Sequence, residues 1–128
     1  MDVAAELDTT SERAWELLSD TTHWPAWGPS VAAVEPAGVR VEPGLRGRVR
    51  TVAGFTVPFE ITAVEPGRSW RWRVAGVAAT GHRVEPLGPG RCRVVFEVPA
   101  WAAPYGLVCQ VALKRLARLA SPRPEADP

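Results

Sequence analysis

Lysine is almost missing from this sequence. Of 15 basic residues only Lys114 is not arginine, and 14 acidic residues balance them to a net charge of +1. So small a charge supplies no field to draw the chain to nucleic acid or to an anionic membrane. The arginine excess reads as base-composition bias of the source, not as a set of phosphate contacts. No apolar run approaches the roughly 18 residues of a membrane span. The opening stretch MDVAAELD has no basic region followed by an apolar one, so no signal peptide is expected. The two histidines, His23 and His82, and the two cysteines, Cys92 and Cys109, show no metal-ligand spacing. Neither a metal nor a cofactor is expected. Phosphate loops, dinucleotide fingerprints and the nucleophile elbow are missing as well. Both cysteines lie in apolar-patterned segments and read as small buried hydrophobes of a reducing cytosol. The expected location is therefore cytoplasmic.

What is there suffices for one domain with a substantial core: 128 residues, 46% apolar and 23% charged, with six tryptophans. VAAEL, residues 3–7, reads as a first strand. In TTSERAWELLSD, Thr9 and Glu12 have capping-box spacing, and Ala14, Trp15 and Leu18 share one face at helical spacing, predicting a helix over 10–19. Pro25 and Pro29 stop any continuation and leave at most a helical turn at Trp24–Trp27. From residue 30 to 99 the pattern is six short alternating runs separated by Pro-Gly and Gly-rich turns, an antiparallel meander. APYGLVCQVALKRLARLAS is an amphipathic helix with Tyr105, Cys109, Ala112, Leu116 and Leu119 on one side. The single domain is expected to span residues 1–120. The tail 121–128 has no apolar anchor beyond that and is expected to be disordered.

Period-two alternation sorts the strand residues onto two faces. Phe55, Val57, Phe59 and Ile61 share a face, as do Trp70, Trp72 and Val74; His82 and Val84; and Cys92, Val94, Phe96 and Val98. The opposite face carries arginine, glutamate and threonine. Glutamates there can pair with arginines across strands, so the charged face reads as the wet side of the sheet and not as a binding surface. In SWRWRV the tryptophans and arginines fall on opposite faces and cannot form one stacking platform for nucleic acid. The inward polar set is short: Thr51, Thr80, His82 and Tyr105, with Cys92 and Cys109 as weak additions. Trp15 reads as core and His23 as surface.

This order of elements requires an α+β fold in which a strongly curved antiparallel sheet of six or seven strands wraps round a long C-terminal helix. One or two short helices follow the first strand. SERAWELLSD, HWPAWGPSV, PFEITAVEPGRSWRWRV and GHRVEPLGPGRCRVVFEV occur in the order and spacing of the START-like (SRPBCC) helix-grip superfamily. Within it the chain resembles the polyketide cyclase/dehydrase and lipid-transport group over about residues 1–120. That resemblance implies one cavity between sheet and long helix, entered near the short helices and hairpin loops. The expected occupant is an apolar, aromatic or polycyclic small molecule. Trp24, Trp27, Phe59, Trp72, Phe96 and Tyr105 would wall the cavity, with Thr80 and Cys109 beside them and His82 as polar anchor. Three alternatives stand beside it. One is a cofactor-independent cyclase or dehydratase with His82 as general base and Tyr105 as hydrogen-bond donor. The others are a protein-interaction module and a structural domain whose cavity is filled by its own tryptophans. Nothing in the pattern assigns an oligomeric state.

Overall fold

Alternation and turn chemistry build most of this chain, and a computed structural model gives their arrangement over residues 1–120. The expectation for the tail at 121–128 lies outside these described residues. β1 (Asp2–Leu7) leads into α1 (Ser11–Ser19), a 3-10 turn at Thr21–His23 and the one-turn α2 (Trp24–Trp27). The strands β2 (Val31–Glu35), β3 (Arg46–Thr51), β4 (Thr56–Glu65), β5 (Ser69–Val74), β6 (Val77–Gly88) and β7 (Arg91–Glu97) follow. A 3-10 segment (Ala100–Tyr105) then enters α3 (Gly106–Ala120).

The expected meander is present. Each of β2 to β7 pairs antiparallel with the next, and β1 adds to the free side of β7, giving one seven-stranded sheet in the order β1-β7-β6-β5-β4-β3-β2. Register shifts at Ile61/Ala63 and Arg71/Arg73 interrupt the β4–β5 and β5–β6 ladders. Such irregularities bend strands and increase local twist, which adds to the curvature of the sheet. Within the β3–β4 ladder Gly47 lies opposite Phe59. A Cβ there would sit 2.7 Å from the Phe59 ring and would collide with the Glu35 carbonyl, so glycine leaves the space that the ring needs beside β3.

The outer face carries the expected pairing as a continuous chain of ions. Arg71 and Arg83 both bond Glu97, and Arg83 also bonds Glu85 at 2.9 Å. Arg93 links Glu85 (3.1 Å) to Glu6, and Arg91 bonds Glu6 (2.7 Å) and Asp8 (2.8 Å). Arg83 first and Arg93 second hold the Glu85 carboxyl below its ordinary range. Gly81 makes room for the Arg71–Glu97 pair: a Cβ there would meet the Glu97 carboxylate at 2.6 Å.

Three expectations about the helices need correction. The N-cap of α1 is Thr10, whose side chain accepts from the Arg13 amide at 3.1 Å, and not Thr9. α1 buries Ala14, Leu17 and Leu18, with Trp15 only half-buried at the edge of the core. α3 begins at Gly106 because Pro104 holds the preceding residues in a 3-10 segment, so Tyr105 is not on the α-helix. Its buried face is Cys109, Ala112, Leu113, Leu116 and Ala120, while Leu119 is exposed.

Candidate functional site

The end of α1 explains the tryptophans that follow it. The last carbonyls of a helix have no partners within it and must find them elsewhere. Here each is satisfied. The Asp20 amide donates to the Glu16 carbonyl at 3.2 Å and the Val41 amide to the Ser19 carbonyl at 2.8 Å. The Trp27 indole donates to the Leu17 carbonyl at 2.8 Å. The Leu18 carbonyl accepts two indoles, Trp24 at 2.9 Å and Trp70 at 3.1 Å. α1 ends where Asp20 turns extended, and the short turn α2, with Pro25 in its first turn and Pro29 just beyond it, sets Trp24 and Trp27 back against α1. Both are buried. Their polar edges are spent on α1, and their ring faces are left for the interior.

Those faces join an aromatic wall. Trp24 stacks on Trp70 with centroids 5.1 Å apart and planes 7° apart, and Trp70 stacks on His82 at 3.9 Å and 20°. Trp72 stands edge-on to Trp24, Trp70 and His82. Phe96 meets the His82 ring edge-on at 5.0 Å. The tryptophans do not fill the space in front of this wall. A cavity of about 550 Å³ lies between the sheet, α2, the 3-10 segment and α3. Among the described residues none of those lining it is Asp, Glu, Lys or Arg.

All of the expected site residues except Phe59 line this cavity. Phe59 is buried behind the wall, in ring contact with Trp24 and Trp72 at 5.6 Å each, so it supports the lining without forming it. Phe55 was expected on the inner face of β4. It precedes that strand instead, is 60% exposed and stands at the cavity mouth. Tyr105 stands at the mouth too, with its hydroxyl 2.9 Å from the Ser30 hydroxyl, joining the 3-10 segment to the loop after α2. Trp101 and Val108 line the cavity without a signal in the sequence, while Trp70 and Ala112 fall on the expected inward sides of sheet and helix but outside the expected site. The turn 100–105 has no periodicity from which Trp101 could be oriented. Among the described residues no cluster of three or more His, Cys, Asp or Glu is placed to hold a metal, and no helix is long and apolar enough to cross a membrane.

The polar groups at the floor form one chain. The Trp72 indole donates to Thr80 Oγ1 at 3.4 Å, Thr80 Oγ1 lies 3.2 Å from His82 Nε2, and His82 Nδ1 lies 3.4 Å from the Trp70 carbonyl. Burial pushes the His82 imidazole down from 6.5 to about 3, helped by the nearby Arg71 charge and opposed by the bond to the Trp70 carbonyl. His82 is therefore neutral at physiological pH. Cys92 and Cys109 are free and buried; loss of solvation raises both thiols, Cys109 to about 11. Neither is a thiolate nucleophile at neutral pH.

Comparison with known proteins agrees with this architecture. The model of a family described as polyketide cyclase / dehydrase and lipid transport matches residues 1–120. No curated protein sequence matches the chain. Among solved structures, XoxI of Bacillus cereus is similar at a TM-score of 0.74 and 14% identity, over 94% of each chain. CV1439 of Chromobacterium violaceum is similar at 0.69 and 21%, over 96% of this chain and 97% of that one. DynU16, a protein in the dynemicin biosynthetic locus, is similar at 0.66 and 20%, over 92% of this chain and 45% of its own. At these identities the likeness to solved structures is one of fold.

Proposed function

The chain belongs to the polyketide cyclase/dehydrase and lipid-transport family, and from that premise we propose that it binds an apolar, aromatic or polycyclic small molecule between its sheet and α3. One observation carries the reading: a cavity of about 550 Å³, walled by Trp24, Trp27, Trp72, His82 and Phe96 and free of ionised side chains among the described residues. The volume falls in the roughly 300–1,000 Å³ range of small-molecule sites, which are mostly apolar with a few placed polar groups. The aromatic faces suit flat ring systems, which gain from offset and edge-on contacts.

Two observations weigh against the cyclase alternative. A general base works best with a pKa near the operating pH, and burial, which pushes His82 down to about 3, matches it poorly to that role. Tyr105, the supposed donor, is partly exposed at the mouth and bonded to Ser30, whereas His82 is buried at the floor. The docking-module alternative would draw on Val52, Phe55 and Trp101, which are exposed. Phe55 and Trp101 also line the cavity mouth, where an apolar ligand would pass between them.

The test is a titration of intrinsic tryptophan fluorescence with polycyclic ketones, flavonoids and fatty acids. Saturable quenching by at least one ring-containing class is expected. It should be lost in Ala112→Phe, which fills the cavity from α3. A flat response across the panel would refute the proposal.

A further inference from the structure

We infer that the floor of the cavity is built to accept a hydrogen bond from its ligand, so that the preferred ligand is a neutral phenol or alcohol on an apolar scaffold and not a ketone or a carboxylate. This rests on the cavity being a ligand site.

The two ends of the floor chain fix its direction. The Trp72 indole nitrogen can only donate and the Trp70 carbonyl can only accept. His82 Nδ1, 3.4 Å from that carbonyl, therefore carries the ring proton. The ring is 3% exposed, packed against Trp70 and Phe96, and no carboxylate lines the cavity among the described residues, so it carries only that one. Nε2 is then a bare lone pair. Thr80 Oγ1 at 3.2 Å must turn its hydrogen toward it while receiving the Trp72 indole N–H at 3.4 Å. Every hydrogen in the chain is spent internally. What remains is one lone pair on Thr80 Oγ1, or the Nε2 lone pair if the threonine hydroxyl turns away.

A ligand hydroxyl reaching the floor finds an acceptor at once. At the floor chain a ligand carbonyl finds no free O–H or N–H among the described residues, and the protonated Cys109 thiol that also lines the cavity is only a weak donor. Taking the hydrogen on Thr80 would leave buried Nε2 without a partner, a penalty of roughly tenfold or more in binding. A carboxylate would in addition lie buried in a cavity with no cation on its walls among the described residues. The hydroxyls of Tyr105 and Ser30 can act either way, but they stand at the mouth and do not change the preference of the floor.

The experiment compares naphthalene, 2-naphthol, 2-methoxynaphthalene, 2-acetylnaphthalene and 2-naphthoate by fluorescence titration of the full chain at pH 7. We expect 2-naphthol to bind about tenfold more tightly than the ether and the ketone, and 2-naphthoate to bind weakest. Thr80→Ser should keep that order. The double variant Thr80→Val/His82→Phe, which removes both acceptors, should bring naphthol and ether to equal affinity. Binding of the whole series without preference, or tighter binding of the ketone or carboxylate, overturns the inference and leaves the binding site standing. Absence of saturable binding by every member, naphthalene included, overturns both. The wild-type series decides the matter even if the double variant fails to fold.

Discussion

Lowering the pH from 7.5 to 5 should cost this protein about 2 kcal/mol of stability through His82 alone. The unfolded imidazole titrates at its ordinary 6.5 and the folded one at about 3. Between those values the unfolded chain binds the extra proton, so stability falls as pH is lowered through 6.5 and the loss ends near 3. At pH 5 the unfolded group lies 1.5 units below its pKa and is almost fully protonated, while the folded group is still neutral. At about 1.36 kcal/mol per unit, that gap gives the figure. It stays the same for any folded value below about 4, because at pH 5 the unfolded value alone sets it. Urea denaturation of the wild type and of His82→Phe at both pH values isolates the effect. Carboxylates such as Glu6 and Glu85, held low by arginines on the outer face, titrate alike in both proteins and cancel. The wild type should lose about 2 kcal/mol more than the variant over this interval. Parallel losses would mean that His82 is solvated or already charged, and the assignment of donors and acceptors at the cavity floor would fail with it.

Among the described residues the Trp27 indole alone donates to the Leu17 carbonyl. Trp27→Phe should therefore cost about 2–4 kcal/mol in urea denaturation, combining lost ring volume with a buried carbonyl left unpaired. A loss under about 1 kcal/mol would contradict its role at the end of α1. The glycines at 47 and 81 should respond differently to alanine. Gly47→Ala drives a methyl into the Glu35 backbone and the Phe59 ring, and should destabilise by about 1–3 kcal/mol or more. Gly81→Ala makes its closest contacts with the flexible ends of Glu97 and Arg71, and by thermal denaturation should fall within about 1 kcal/mol of the wild type.

Most of the fold was legible because strands report their faces by parity and turns report their position by composition. Trp72, Thr80, His82 and Phe96 reach the cavity for that reason. Parity assigns a side of the sheet but not a depth, which is why Phe59 belongs to the inner face yet lies behind Trp24 and Trp72. It also stops where a strand stops, so Phe55, one residue before β4, is at the mouth and not in the core. Irregular segments carry no period at all. Trp24 and Trp27 are oriented by carbonyls of α1, a tertiary requirement that no helical or strand period expresses. Tyr105 looked helical because its spacing from Cys109 is helical, whereas Pro104 keeps it in a 3-10 segment that turns its hydroxyl to Ser30.

The most direct test of a ligand cavity between sheet and α3 is to follow the six indole N–H signals in a ¹H–¹⁵N NMR spectrum as 2-naphthol is added. Trp72 and Trp101 line the cavity without bonding α1, and their signals should move most. Those of Trp24, Trp27 and Trp70, held on α1 carbonyls, should move less, and Trp15, outside the lining, should stay still. A largest shift at Trp15, or six signals that never move, would contradict the account.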